Sequence, residues 1–231
     1  MNSFTVHPLG DNALLLQFTS MNDSLLLSHI HSLTEKLLRL KLDGIVDIVP
    51  AFQSIAIYYD PMHYSFKDLV LTLNRNILEP VQNLQKESKL VSIPVCYDET
   101  LGLDIMEISN QRNLSVEDII QLHTRVTYTV AIMGFLPGFP YLIGLHKQLF
   151  TPRKSTPRIH VPKGAVAIGS SYTGIYPFSS PGGWNIIGQT PISLFDSQKA
   201  DPFLLLPGDQ IQFYSISKEE FLSWRHNDDT N

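Results

Sequence analysis

The sequence predicts an α+β protein with two domains, a small α+β domain at residues 1–85 and a β-rich domain at residues 86–231. Strand-like runs alternate with two amphipathic helical segments in the first part, which is typical of helices covering one face of a sheet. A polar stretch at residues 79–89 has the composition of a linker. Beyond residue 133, short apolar runs are interrupted by Gly and Pro, which favours a β-barrel or a sandwich.

The first domain is predicted to contain four strands and two helices. The strands are expected at residues 4–6, 13–18, 45–52 and 54–59, and the last two are expected to form an antiparallel pair. A helix is expected from an N-cap in residues 22–24 to about Lys41, because its apolar residues recur every three or four positions and Gly44 follows it. A second helix is expected at residues 64–78 for the same reason.

The second domain is predicted to begin with a strand at residues 90–97 and two short helices at residues 103–111 and 115–123. Ser115 and Asp118 have the spacing of a capping box, with Asp in the place that Glu or Gln usually takes. Residues 125–133 alternate like a strand, and residues 221–225 suggest a last helical turn.

Composition restricts the class of protein. A hydrophobic fraction of 43% and a charged fraction of 17% describe a globular core, and a net charge of −5 does not favour nucleic-acid binding. The single cysteine, Cys96, excludes an internal disulfide and is interpreted as a small core residue. No apolar run is long enough for a membrane span and no signal-peptide pattern is present, so we expect a cytoplasmic protein without membrane partners.

Acidic residues are missing from one long stretch of the chain. Between Ile119 and Phe195 there is no Asp or Glu, so this stretch carries +6 while the rest, with 11 basic and 22 acidic residues, carries −11. Cations without nearby carboxylates can pair with a ligand, which predicts an anion-binding face. The alternative is a solvated basic surface on a loop-rich β domain.

Three segments of this stretch are candidates for a binding site. Residues 134–142 form a Gly- and Pro-rich loop whose Phe139 and Tyr141 either line a pocket or fill a barrel corner. Residues 151–158 repeat Thr-Pro-Arg, so Arg153 and Arg158 either clamp an anion or lie on a solvated loop. Residues 179–191 contain a glycine pair that brings backbone N–H groups close to a ligand or to a neighbouring strand.

The same segments lack the patterns of several other sites. Neither the Gly-x-x-x-x-Gly-Lys-Ser phosphate loop nor the Gly-x-Gly-x-x-Gly dinucleotide pattern occurs. No metal-ligand spacing is found, because His123, His146 and His160 are far apart and no carboxylate accompanies them in the stretch. No metal site is therefore predicted.

Together these motifs resemble the family of the 5-oxoprolinase B subunit, also called the allophanate hydrolase subunit 1 or sporulation kinase inhibitor family. The resemblance covers nearly the whole chain, and its most specific parts are residues 134–142 and the run Ser180-Pro181-Gly182-Gly183-Trp184. Two positions depart from the family pattern. Tyr172 stands where Gln is usual, and Gln189 stands where Arg or Lys is usual.

The resemblance implies an N-terminal α+β domain followed by a cyclophilin-like β-barrel. It also implies a subunit of an ATP-dependent 5-oxoprolinase, which opens 5-oxoproline to glutamate together with a partner similar to the 5-oxoprolinase C subunit and a third subunit. Two alternatives remain open. One is a non-enzymatic inhibitor that binds a sensor histidine kinase, and the other is a carboxyltransferase-type subunit of a biotin-dependent urea or allophanate system.

For the enzyme we expect the chain to be inactive alone and ATP to be shared with the partner subunits, because no phosphate loop or general base is evident. Arg153 and Arg158 would hold the substrate anion and Lys163 would neutralise developing charge. Gly182 and Gly183 would supply backbone donors, and Phe139, Tyr141 and Trp184 would form the pocket wall. No catalytic residue is assigned.

Overall fold

The computed structural model describes residues 4–18, 23–78 and 88–228. The chain divides into two compact units, Met1–Glu87 and Ser88–Asn231. Most of the predicted linker, and the predicted N-cap of the first helix at Asn22, lie outside the described residues. No helix in the described ranges is long and apolar enough to cross a membrane.

The first unit is a four-stranded antiparallel sheet with two helices. Its elements are β1 (Phe4–Pro8), β2 (Ala13–Phe18), α1 (Asp23–Leu40), β3 (Ile45–Pro50), β4 (Ser54–Tyr59) and α2 (Phe66–Leu78), and the strand order is β1-β2-β4-β3. The apolar stripes of α1 and α2, with Ile30, Leu33 and Leu69 fully buried, pack in one core with Leu14 and Ile55 of the sheet. The predicted α+β arrangement is confirmed, with buried and less buried residues alternating along β4 and the apolar residues of both helices at three-to-four spacing.

Within residues 88–228, the second unit contains nine strands. Its elements are β5 (Leu90–Val95), α3 (Ile105–Arg112), α4 (Val116–Thr124), β6 (Thr127–Met133), β7 (Pro140–Ile143), a 3₁₀ turn (Lys147–Leu149), β8 (Arg158–Val161), β9 (Ala165–Gly169), β10 (Tyr172–Ile175), β11 (Ser180–Gly182), β12 (Asn185–Gln189), β13 (Gln210–Ser215) and α5 (Lys218–Asp228). Seven of the strands form one curled sheet in the order β12-β9-β10-β7-β6-β13-β5, while β8 and β11 form a separate two-stranded ribbon.

The two ends of the seven-stranded sheet meet at Cys96 and Gln189. The Cys96 N–H donates to the Gln189 carbonyl at 2.9 Å, and the Gln189 N–H donates to the Cys96 carbonyl at 3.0 Å. This bridge joins the chain after β5 to the end of β12 and closes the curl, so neither edge is open there. Cys96 is buried, as the sequence indicated, and burial raises the pKa of its thiol.

The N-cap residues of α4 and α3 use their side chains differently. The predicted capping box of α4 is confirmed, because the Asp118 N–H donates to Ser115 Oγ and the Ser115 N–H donates to Asp118 Oδ2, both at 3.0 Å. Asp104 holds the N-cap position of α3, but its side chain accepts no hydrogen bond from the helix. The carboxylate of Asp104 is therefore available for other partners.

Candidate functional site: an arginine on an aromatic cluster

The buried carboxylate of Asp104 is the centre of a charge cluster on the second unit. Arg158 binds it with two hydrogen bonds, from Nη1 to Oδ2 at 2.8 Å and from Nη2 to Oδ1 at 2.7 Å. Lys154 Nζ lies 2.8 Å from Asp104 and 2.7 Å from Glu107 of α3. The N–H of Ile186 on β12 donates to the same carboxylate at 2.7 Å. One acidic side chain thus holds α3, β8 and β12 together.

The pKa of Asp104 shows which effect dominates in this cluster. Desolvation by burial is the largest single effect and raises it, but the hydrogen bonds from Arg158, Lys154 and the Ile186 N–H together outweigh it. The pKa of Asp104 is consequently lowered, and the carboxylate is held in its charged form. The pKa of Lys154 is raised, because Asp104 and Glu107 accept hydrogen bonds from its ammonium group.

This cluster corrects one expectation from the sequence. Lys154 and Arg158 lie in the acid-free stretch, yet both are neutralised by carboxylates that precede the stretch in the chain. The expectation that these cations are unopposed was wrong, because charge along a chain does not report which residues fold next to one another. Both nitrogens of the Arg158 fork that would clamp an anion are already bonded to Asp104.

Arg153 differs from Arg158. Its side chain is exposed, and its guanidinium carbon lies 5.7 Å from the centroid of the Trp184 ring. Within the described ranges no carboxylate forms an ion pair with Arg153 or with Lys163, which is also exposed. The ring attracts the guanidinium weakly and does not satisfy its N–H donors. Of the two arginines predicted to clamp an anion, Arg153 is therefore the one that remains able to bind it.

Beneath Arg153 lies a cluster of perpendicular aromatic rings. Phe139 contacts Trp184 at 5.5 Å and Tyr176 at 5.1 Å between ring centroids, and Tyr141 contacts Trp184 at 5.5 Å. Burial raises the pKa of the Tyr176 hydroxyl, so this group stays protonated. Phe139 is 1% exposed and belongs to the core, which agrees with the alternative that the aromatic residues of this loop fill a barrel corner. Trp184 is buried beneath Arg153, and Tyr141 is half-buried.

The loop between β6 and β7 exposes a different phenylalanine. Phe135 has φ +69°, and the Leu136 N–H donates to the Gly134 carbonyl at 2.9 Å, which together define a γ-turn of the rare type with positive φ. The next hydrogen bond, from the Phe139 N–H to the Leu136 carbonyl, closes a β-turn in which Gly138 also has positive φ. A bulky residue in such a conformation costs of order 1–3 kcal/mol.

The two turns decide which ring of the loop is exposed. Phe135 is 59% exposed and contacts Phe139 and Tyr176 in perpendicular geometry at 5.5 and 6.2 Å. The sequence-based interpretation named Phe139 and Tyr141 and missed Phe135. The Gly and Pro residues of the loop indicated turns, but no residue type marks a phenylalanine as the one with positive φ.

The glycine pair has different structural roles at its two positions. A Cβ at Gly182 would lie within 2.8 Å of two ring carbons of Tyr176, whereas a Cβ at Gly183 would make only ordinary contacts at 3.7 Å or more. The Gly183 carbonyl accepts a hydrogen bond from the Lys154 N–H at 2.8 Å, which fastens the arginine loop to the chain before β12. Gly182 is thus required for close packing on Tyr176. Their use as anion donors stays a prediction.

The two departures from the family pattern have structural partners. The amide of Gln189, which is 5% exposed, donates to the Lys163 carbonyl at 2.6 Å. Tyr172 is half-buried against the aromatic cluster, with its ring 6.4 Å from that of Tyr141. Gln189 is therefore directed at backbone rather than at the surface that carries Arg153.

The histidines lie in two very different surroundings. His123 is fully buried between the Tyr97 hydroxyl at 2.7 Å and the Thr173 hydroxyl at 3.0 Å, and desolvation lowers its pKa to about 3. His160 is exposed and lies 2.7 Å from Ser179 Oγ. Within residues 4–18, 23–78 and 88–228, no group of three or more His, Cys, Asp or Glu side chains is arranged to hold a metal ion.

Comparison with known proteins identifies the family. The family described as "Carboxyltransferase domain, subdomain C and D" matches residues 4–205. The chain is 33% identical to the 5-oxoprolinase B subunit of Bacillus subtilis over 96% of this chain and 97% of that protein. It is 43% identical to the protein of the same name from Haemophilus influenzae, over 73% of this chain and 78% of that protein. The chain belongs to the 5-oxoprolinase B-subunit family.

Longer proteins share the same unit. Urea amidolyase of Saccharomyces cerevisiae is 25% identical over 91% of this chain but only 13% of its own length. Among solved structures, TTHA0988 superimposes with a TM-score of 0.78 at 36% identity, over 89% of this chain and 40% of that chain. The fold of the 5-oxoprolinase B-subunit family therefore also occurs as one part of larger polypeptides.

Proposed function

We propose that the chain is a subunit of an ATP-dependent 5-oxoprolinase that opens 5-oxoproline to glutamate. The observation that carries the proposal is the state of Arg153, an exposed guanidinium near Trp184 with no carboxylate partner in the described residues. The substrate is a small carboxylate on a polar lactam ring. An exposed arginine fork without a carboxylate partner matches the carboxylate of such a molecule.

The residues around Arg153 have complementary roles in this proposal. Arg153 binds the substrate carboxylate. Lys163, which follows it in the same acid-free stretch, is a second exposed cation. Arg158 does not contact substrate, because its fork is bonded to Asp104 and keeps the loop of residues 151–158 in place. Backbone donors of Gly182 and Gly183 remain candidates for the substrate oxygens.

The proposal assigns the ATP step and the general base to other subunits. The sequence has no phosphate loop, and in the described ranges no acidic cluster suited to a metal ion lies beside Arg153. These residues do not fit a complete ATP site, so the proposal places no step of ATP chemistry on this chain. The partners that complete the site are a protein similar to the 5-oxoprolinase C subunit, which we call the C-type partner, and a third subunit.

The test is reconstitution. Glutamate formation from 5-oxoproline and ATP is measured for the purified chain, for the C-type partner and third subunit without it, and for the full mixture. We expect turnover in the full mixture only. Substantial turnover by the isolated chain would contradict the shared site, and no turnover in any mixture would contradict the proposed activity.

A second candidate is carboxyl transfer, which the family description favours. The same cationic face would then hold a carboxylated intermediate rather than 5-oxoproline. Incubation of the assembled subunits with a biotin carboxylase, a biotinylated carrier, ATP and bicarbonate, and with either urea or 5-oxoproline, separates the two candidates. ATP consumption that depends on urea and the carrier, with no glutamate formed from 5-oxoproline, would select carboxyl transfer.

A further inference from the structure

A row of exposed and half-buried phenylalanines, Phe135, Phe178, Phe195 and Phe203, runs across the surface of the second unit beside the Arg153 site. We call it the phenylalanine strip. Phe178 contacts Phe195 at 5.6 Å and Phe195 contacts Phe203 at 5.0 Å between ring centroids. The Phe135 loop joins the row at Gly138, where a Cβ would lie 2.8 Å from Cβ of Phe195.

The strip leaves large apolar side chains in water. Phe135 is 59% exposed, Phe203 39% and Phe178 36%. Beyond Phe178, Ser179 is hydrogen-bonded to His160 of the ribbon strand β8. Large exposed apolar rings in contact with one another mark an interaction site for a macromolecule.

Backbone strain selects Phe135 as the anchor of this surface. The γ-turn holds its ring outward at positive φ, and Phe139 and Tyr176 support the ring from below in perpendicular contact. Strained backbone persists where the surrounding structure enforces it, and such positions cluster at functional sites. An aromatic side chain held rigidly in this way loses little conformational freedom when a partner covers it.

The charges around the strip indicate the chemistry of the partner. Residues 119–195 contain no carboxylate, and the exposed Arg153 and Lys163 form no ion pair in the described part of the chain. At the far end of the strip, Asp196 is accompanied by Lys199 at 3.6 Å, and Asp201 is exposed. A complementary segment would present apolar side chains to the strip and net negative charge towards Arg153 and Lys163.

We propose that the phenylalanine strip is the docking surface for an apolar, acid-flanked segment of the C-type partner, with Phe135 as its anchor. This inference rests on the proposed function, because it names where the protein that completes the site binds. Phe135 and Arg153 lie on the same aromatic cluster, so a partner seated on Phe135 reaches the anion site. In TTHA0988, whose matching part is 40% of its chain, the same unit is covalently joined to further polypeptide.

The test measures binding of the purified C-type partner to the full chain by titration calorimetry. The test variants are Phe135→Gly, which keeps a residue suited to positive φ, and Phe203→Ala. The control is Tyr214→Ala, which removes an exposed ring from β13. We expect each test variant to raise the dissociation constant at least tenfold, the control to change it less than twofold, and thermal unfolding of Phe135→Gly to stay within a few degrees of wild type.

The outcomes separate this inference from the proposed function. Unchanged affinity in both test variants, or no binding by the wild-type chain, overturns the docking surface. If Phe135→Gly instead abolishes self-association of the chain and leaves partner binding intact, the strip binds a second copy and the assignment is overturned. Weakened binding without any 5-oxoproline turnover in the wild-type mixture supports the surface and contradicts the proposed activity.

Discussion

Arg158 and Asp104 lie 54 positions apart and form a two-bond ion pair at 2.8 and 2.7 Å. The pair connects the strand β8 to the start of α3. Asp104 is 1% exposed and the Arg158 side chain is 27% exposed, so the pair is partly buried. Arg158 therefore stabilises the fold, whereas Arg153 remains able to bind a ligand, although both arginines occur in the same Thr-Pro-Arg repeat.

Replacing Arg158 by Ala should destabilise the protein by about 2–3 kcal/mol. The change removes two charged hydrogen bonds and leaves Asp104 buried with fewer partners, while Lys154 and the Ile186 N–H retain part of its stabilisation. The measurement is urea unfolding above pH 6. The control Lys163→Ala removes an exposed cation and should change the free energy of unfolding by less than about 0.5 kcal/mol. Equal effects of both changes would refute a structural role for Arg158.

The same pair has a pH dependence of known sign. The pKa of Asp104 is lowered in the folded state, so its contribution to stability is complete above the ordinary carboxyl pKa near 4 and is lost as pH falls through the lowered pKa. The stability difference between wild type and Arg158→Ala should therefore shrink below about pH 4. Unfolding curves for both proteins between pH 7 and pH 3 test this, and a difference that grows in acid would contradict it.

Replacing Arg153 by Ala should weaken binding of 5-oxoproline to the assembled complex by about 1.5–3 kcal/mol, the range for hydrogen bonds to charged groups. Arg153→Lys should not restore binding fully, because an ammonium group cannot make the two-pronged contact. Thermal stability should change little, since an exposed cation on a ring contributes about 0.5–1 kcal/mol. Binding is measured by calorimetry. The control is Arg125→Ala, which removes another exposed arginine of the acid-free stretch. Unchanged binding of 5-oxoproline would show that Arg153 is a solvated surface residue and does not bind the substrate.

Ala at Gly182 should destabilise the protein by about 1–3 kcal/mol, the usual effect of overpacking a close contact. The added methyl would meet the ring of Tyr176, which is 1% exposed and surrounded by Phe139 and Phe135. The adjacent change Gly183→Ala is the matched control, because the nearest atoms are 3.7 Å away. Chemical unfolding of the two variants gives the comparison, and equal stability would show that Tyr176 moves aside.

His123 should make the protein less stable in acid. Its folded-state pKa is about 3, below the ordinary 6.5, because burial disfavours the charged ring. Between these values the unfolded chain binds a proton that the folded protein does not, so stability falls by up to about 1.4 kcal/mol per pH unit as pH decreases from about 6.5. His123→Gln should show a shallower decrease than wild type. Parallel slopes in the two proteins would exclude His123 as the source.

Much of the fold follows from the sequence alone. The three-to-four spacing of Ile30, Leu33 and Leu37 determines a helix with one buried face, and Ser115 with Asp118 determines where α4 begins. The family was also evident from the loops at residues 134–142 and 180–184. These features are local, because each depends on residues within a few positions of one another.

The tertiary structure alone decided which candidates are available to a ligand. Arg153 and Arg158 have the same local sequence, but only Arg158 faces a carboxylate, and that carboxylate belongs to a helix folded against β8 and β12. Phe135 and Phe139 share one loop, but the positive φ of Phe135 directs its ring outward while Phe139 is buried. Ion pairing and burial depend on which residues are neighbours in space. In a chain of 231 residues, groups far apart in the sequence come into contact, and the sequence does not indicate which ones.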